Sequence, residues 1–210
     1  VVLTIVDNEL KVLTIRRQED PYKHMLTLPG GFMWEGETTA DSVARILKDK
    51  AGVGNVYVDQ LYTFDNINRD SRDRVITLAY IALVPEHKLT GLMPHAQLTT
   101  VKGIERLGFD HNRIVDYALG RTRSKLEYTN AAYSLLPNKF TLSDLQNVYE
   151  IVLGQPLDKR NFRKKILSLD MLKETTEMQS GKKHRPARLF TFKKHTVEDF
   201  PSPFVFSKSA

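Results

Sequence analysis

Of the ten residues from Lys159 to Ser168, five are Lys or Arg and none is acidic. Phe162, Ile166 and Leu169 recur at i, i+4 and i+7, the spacing of one buried helical stripe. Arg160 and Lys164 then project roughly opposite that stripe, with Ser168 nearby. Asn161, Arg163 and Lys165 flank them, and Lys159 lies nearer the apolar side. A guanidinium can hold guanine O6 and N7 together, and an Asn amide can do the same for adenine N6 and N7, so these types suit the edges of base pairs. Lys159 and Lys165 suit phosphates. A basic run in a Gly-containing turn, Lys182, Lys183, His184 and Arg185, would add phosphate or minor-groove contacts. Thr141, ahead of the preceding helix, completes the candidate nucleic-acid-binding set. The competing reading is a basic surface helix that binds nothing specific, and the salt dependence of binding separates the two.

Charge is segregated along the chain. Residues 1–129 carry 17 Lys+Arg against 17 Asp+Glu, whereas residues 130–210 carry 14 against 8, so the whole net +6 lies in the C-terminal part. That points to an anionic partner for this part alone, nucleic acid first and a membrane surface second. With no cysteine, disulfides, zinc fingers and thiol catalysis are excluded. His24, His87, His95, His111, His184 and His195 fall at no metal-ligand spacing, so no metal site and no cofactor are expected. No apolar run approaches the ~20 residues of a membrane span. The opening VVLTIV reads as a strand and not a signal segment, and the missing initiator Met suggests residues ahead of Val1.

These candidates need elements to hold them. VVLTIV and LKVLTIRR flank the break Asp7-Asn8-Glu9 and read as a hairpin, with MLTLPGGF as a third extended segment. Ala40, Val43, Ala44, Leu47 and Ala51 switch to helical period, with Thr38 and Asp41 as a capping box and Gly52 as the stop. NVYVDQLYTF and RVITLAYIALV read as strands, and the mixed order implies an α+β or α/β sandwich ending near residue 105. A linking helix follows over 110–128, capped by Asp110, with Ile114, Val115, Ala118 and Leu119 as its apolar side. A capping box at Ser143 and Gln146 then opens a helix closed by Gly154. The turn Gln155-Pro156-Leu157-Asp158, a second helix over about 158–169, and a basic hairpin ending in RLFTF have the order of a winged helix-turn-helix.

Gly31, Glu37, Arg45, Leu47, Gly52 and Val53 fall in the register G-x5-E-x7-R-E-U-x-E-E-x-G-U, and the segment resembles the Nudix box. In that family the three helix glutamates share one face and hold Mg²⁺ or Mn²⁺ against a diphosphate. Here those positions carry Ile46, Asp49 and Lys50, so the resemblance implies the fold without the hydrolase chemistry: no catalytic residues, no metal, not an enzyme. Lys50 either replaces the metal as a point charge on a diphosphate or points outward to solvent.

Gly31, Glu37, Arg45 and Lys50 therefore head the candidate effector-binding residues. Arg16 and Arg17 are adjacent on a strand, so only one can face a cleft, and Arg69, Arg72 and Arg74 form a cationic loop. Asp70 and Asp73 are interleaved with that loop, leaving local salt bridges as the other reading. Trp34, the single tryptophan, either stacks on a base or packs in a core or subunit interface. His111 is expected to support a helix start.

A Nudix-like domain joined to a winged helix resembles the Nudix-related transcriptional regulators of bacteria, and FTLSDLQNVYEIVLG, LDKRNFRKKI, RPARLF and RDSRDRVITLAYIAL carry the resemblance. It implies an α+β protein in which an N-terminal Nudix-like α/β/α sandwich (1–108) is joined by a helix (109–129) to a winged helix-turn-helix (130–195) and a tail (196–210). It also implies a cytoplasmic, nucleoid-associated homodimeric repressor of NAD or sugar metabolism. Such a protein binds a palindromic duplex operator and ADP-ribose or a related nucleotide or sugar phosphate. The runner-up is an active ADP-ribose pyrophosphatase with a DNA-binding appendage. An RNA-associated Nudix protein is third, disfavoured because no aromatic platforms sit beside the cations.

Overall fold

The computed structural model describes residues 1–54, 56–179 and 186–200, and the chain divides into two compact units, Val1–Gly120 and Arg121–Ala210. Unit 1 is built on a six-stranded mixed sheet of β1 (Val2–Val6), β2 (Glu9–Arg16), β3 (Leu26–Thr27), β4 (Asp59–Phe64), β5 (Thr77–Leu83) and β6 (Ala96–Thr100). Its order is β3-β2-β1-β5-β4, with β6 also pairing with β2, and only the β1–β5 pair is parallel. Asp7 and Asn8, at φ 53° and 60°, make the tight turn between β1 and β2.

Strand periodicity sorts the core into two layers. Leu3, Val12 and Ile81 face a cluster completed by Ile114, Val115, Ala118 and Leu119 of helix α2 (His111–Tyr128). Their neighbours Val2, Leu13 and Ala82 face the opposite cluster, against Leu47 and Ala51 of helix α1 (Thr39–Ala51). The result is an α/β/α sandwich. Helix α1 has the expected Thr38–Asp41 capping box and stops at Gly52, whose φ is 74°. A Cβ on Gly52 would stand 2.6 Å from the Gly91 carbonyl oxygen, so only glycine fits there.

The extended reading of MLTLPGGF shrinks to the two residues of β3, and β6 emerges from AQLTT, which shows no apolar run. β6 is fixed by partnership: five positions pair with β2, and the Thr14 and Thr99 hydroxyls share a hydrogen bond of 2.7 Å.

The division between the units falls within α2. Unit 2 adds helix α3 (Leu142–Leu153), helix α4 (Lys159–Ser168) and the hairpin β7 (Leu172–Met178) with β8 (Arg188–Phe192). Phe140 and Phe190 exchange backbone hydrogen bonds, which adds a third extended segment to the hairpin. Leu145, Val148, Tyr149, Phe162, Ile166 and Phe192 are buried. The segment 196–200, read as tail, returns to the end of α2: Asn130 bonds the backbone of Thr196 and Glu198, and Phe200 N–H donates to Tyr128 O. No helix among the described residues is long and apolar enough to cross a membrane.

Candidate functional site

The loop before α1 is braced from the helix. The Arg45 guanidinium grips both Glu37 carboxylate oxygens, with Nη2 at 2.8 Å from Oε2, and also donates to the Phe32 carbonyl at 3.0 Å. Glu37 Oε2 accepts the Trp34 backbone N–H at 2.9 Å. The Arg45 hydrogen bonds hold the Glu37 carboxyl well below the usual carboxylate range, at about 2. Both oxygens of Glu37 are thus engaged in an ion pair. The Arg45 guanidinium also lies 3.6 Å from the centroid of the Trp34 ring, while Trp34 as a residue stays 61% exposed.

The α1 face that carries glutamates in the resembling family is occupied differently. Ile46 is buried close beneath Gly31, where an added Cβ would lie 3.3 Å from its side chain. Lys50 Nζ donates to the Gly30 carbonyl at 2.7 Å. Among the described residues no group of three or more His, Cys, Asp or Glu is placed to hold a metal ion.

The arginine loop resolves into separate roles. Arg69 is 8% exposed; it grips Asp110 through two nitrogens and donates to Thr77 Oγ1 on β5. Its donors are committed to these partners inside the fold, which supports a bracing role in place of the effector contact expected for it. The Asp110 carboxylate faces Arg69, and its backbone carbonyl accepts the Ile114 N–H at the start of α2. Arg72 pairs with Asp70, holding that carboxyl down at about 2, and Arg74 donates to the Asp65 carbonyl. Arg72 and Arg17 lie over the Phe109 ring, at 5.6 and 5.1 Å from its centroid. Arg16, the last residue of β2, donates to the His24 carbonyl, and Arg17 just beyond it donates to the Pro21 and Asp20 carbonyls. Both brace the 17–25 loop. A shallow cavity of about 440 Å³ lies along residues 67–74. His111 Nδ1 accepts the Leu28 N–H at 2.9 Å, and burial lowers its imidazole to about 4, which fits its expected supporting role at the start of α2.

In unit 2, α3 begins at Leu142, and its capping box is Thr141 with Asp144, in place of the expected Ser143–Gln146 pair. Thr141 is buried at 4% exposure and its hydroxyl is committed to Asp144, so it supports the helix start. Gly154 at φ 72° closes α3 as expected, and Asp158, whose carboxylate accepts the Asn161 N–H at 2.8 Å, caps α4. Phe162 and Ile166 anchor α4, and Lys159, Arg160, Asn161, Lys164, Lys165 and Ser168 are not buried with them. Arg163 differs: half-buried, it donates to Ser143 Oγ at 3.3 Å and braces α4 on α3. Lys182, Lys183, His184 and Arg185 lie outside the described residues.

Residues 1–111 match the NUDIX domain family, and residues 132–192 match the NrtR DNA-binding winged helix domain. A relative, the ADPR responsive transcriptional repressor NtrR of Acinetobacter baylyi, is 31% identical over 91% of this chain and 79% of its own length. The chain belongs to the NrtR family of Nudix-related transcriptional regulators. Shewanella oneidensis NrtR complexed with a 27mer DNA is similar in structure, with a TM-score of 0.82 and 30% identity over 91% of this chain and 90% of that one. The NUDIX domain of the same protein complexed with ADP ribose matches at a TM-score of 0.53 and 29% identity, covering 58% of this chain and 83% of that one.

In this NrtR-family chain the fold therefore brings Gly31, Trp34, Glu37, Arg45 and Lys50 to one place and gathers Arg17 and Arg72 around Phe109. Sequence reasoning missed the residues that lock the α3–α4 turn. Glu150 Oε1 accepts the Leu157 N–H at 2.8 Å and the Gln146 amide at 2.9 Å, and that amide also reaches the Leu157 carbonyl. The i, i+4 spacing of Gln146 and Glu150 was the available signal.

Proposed function

We propose that this protein is a ligand-responsive transcriptional repressor whose Nudix-like unit senses ADP-ribose or a related nucleotide or sugar phosphate without hydrolysing it. The exposed cationic face of α4, within a winged helix similar to one solved on DNA, is the observation that carries the reading. Arg160 and Asn161 would read base edges; Lys159, Lys164 and Lys165 would hold phosphates, joined by Lys182, Lys183, His184 and Arg185. On a palindromic operator, a homodimer would place two such helices ~34–36 Å apart or a multiple of it.

Loss of hydrolysis rests on α1. Ile46 and Lys50 replace two of the three helix carboxylates, and only Asp49 keeps an acidic group there. Lys50, tethered to the Gly30 carbonyl, supplies a fixed positive charge beside Gly31 for an anionic effector. The exposed faces of Trp34 and Arg72 complete the candidate contacts, whereas Arg16, Arg17, Arg69 and Arg74 shape the loops around them. Release of DNA requires the effector to favour one dimer geometry over another.

The test selects an operator from random duplexes and titrates ADP-ribose into the complex. The expected result is saturable release of DNA, with no AMP formed from ADP-ribose in Mg²⁺. Mg²⁺-dependent AMP release would restore the pyrophosphatase reading, and a duplex affinity indifferent to sequence would remove the repressor.

A further inference from the structure

Three consecutive apolar side chains, Phe32, Met33 and Trp34, stand 70%, 48% and 61% exposed on the loop leading into α1. The backbone that carries them is held in place. The Arg45 guanidinium ties down the Phe32 carbonyl, and Glu37 ties down the Trp34 N–H, so the backbone on both sides of Met33 is anchored to one ion pair. The same guanidinium lies close enough to the indole to reach 3.6 Å from its centroid, which backs the inner face of the ring with a cation. With Trp34 61% exposed, indole surface remains open to solvent, and a rigid aromatic surface pays little ordering entropy when a ligand settles on it.

We propose that Trp34 is the stacking platform for the purine base of the effector, with Arg45 as the layer beneath it. The assignment rests on the effector reading above and adds which part of the ligand is read and by what. A flat heterocycle is the chemistry that an open indole face takes, since its attraction comes from overlap of π-surfaces and needs no hydrogen-bond pattern. The sugar-phosphate portion offers no such surface, so Trp34 discriminates a nucleotide effector from a phosphorylated sugar. Lys50 on the Gly30 carbonyl supplies a cation two loop residues before Phe32, where the diphosphate of the same molecule can be held.

Trp34 is the only tryptophan of the chain, so its emission reports this one position. The full chain is titrated with ADP-ribose, AMP and ribose 5-phosphate while fluorescence is read, and affinities are measured in parallel by calorimetry. ADP-ribose and AMP should quench Trp34, and ribose 5-phosphate should not. Trp34→Ala should weaken ADP-ribose by about 5- to 150-fold, the range that loss of one base–aromatic stack produces, while Trp34→Phe should stay within a few-fold of the native chain. The exposed position leaves the core intact in both variants, and unchanged thermal unfolding checks it. Equal ADP-ribose affinity in the native and Trp34→Ala chains overturns the platform and leaves the effector reading standing. Emission that changes with protein concentration and ignores adenine assigns the ring to a copy–copy contact and also overturns it. Failure of ADP-ribose to bind the native chain removes both.

Discussion

Replacing Arg69 by Met separates a ligand-binding arginine from one that holds the fold. Arg69 has a side-chain exposure of 5% and its partner Asp110 one of 18%. Removing the guanidinium leaves the Asp110 carboxylate and the Thr77 hydroxyl without their donor. Breaking one side of a buried pair costs about 3–5 kcal/mol. Asp110 retains some access to water, so the low end applies, about 3 kcal/mol. At a urea slope of about 1–2 kcal/mol per molar, the midpoint of the N-terminal unit should fall by roughly 1.5–3 M. Trp34 lies in that unit and reports its unfolding separately from unit 2, which matters because two units need not unfold in one step. The double variant Arg69→Met with Asp110→Asn should recover part of the loss, since no uncompensated charge is left behind. As a comparison, Arg72→Ala should cost at most about 1 kcal/mol, because Arg72 is 43% exposed. A loss below about 1 kcal/mol in Arg69→Met, or no recovery in the double variant, refutes the structural assignment and returns Arg69 to the ligand.

Arg160→Ala and Lys164→Ala should each weaken operator binding. Removing one phosphate-neutralising cation reduces the steepness of log affinity against log salt by about 0.9, and Arg160→Ala should also relax base preference by about 1–3 kcal/mol. An affinity flat between low and moderate salt would falsify the α4 interface. Glu150→Ala should reduce operator affinity with an unchanged salt slope, because it frees the α3–α4 turn and touches no phosphate; a shallower slope would make it a contact residue. Unit 1 should lose stability as pH falls from about 6.5 to about 4 through His111. The folded imidazole titrates below its ordinary value, so the unfolded chain takes up the proton first across that window, and above it the contribution is constant. His111→Asn should flatten that part of a pH–stability profile, and a profile unaltered by the substitution shows that another group is responsible.

Elements whose causes are local were legible in the sequence. The period of Val43, Leu47 and Ala51, the Thr38–Asp41 box and Gly52 all lie within one helix, so α1 could be delimited without a fold. The same is true of α4, where Phe162 and Ile166 set the buried stripe and thereby expose Arg160 and Lys164. The replaced carboxylates at Ile46 and Lys50 were visible for the same reason, since spacing along a helix decides which residues share a face. The α3 cap falls on Thr141–Asp144 and not Ser143–Gln146, although the two offer similar local chemistry, and the Gln146 amide is instead held by Glu150 and the Leu157 carbonyl.

Partnership was decided only by the tertiary structure. β6 exists because β2 offers it a ladder; AQLTT has no strand signal of its own. Arg17, Arg69, Arg72, Arg74 and Arg163 look alike in sequence, yet one is buried against Asp110 across 41 residues and another is braced on Ser143 across 20. A guanidinium on a long side chain is satisfied by whatever acceptor the fold brings within reach, and that acceptor is not a local property. The exposed cationic helix could therefore be read from sequence, whereas the sorting of arginines into ligand contacts and braces required the fold that brings their acceptors to them.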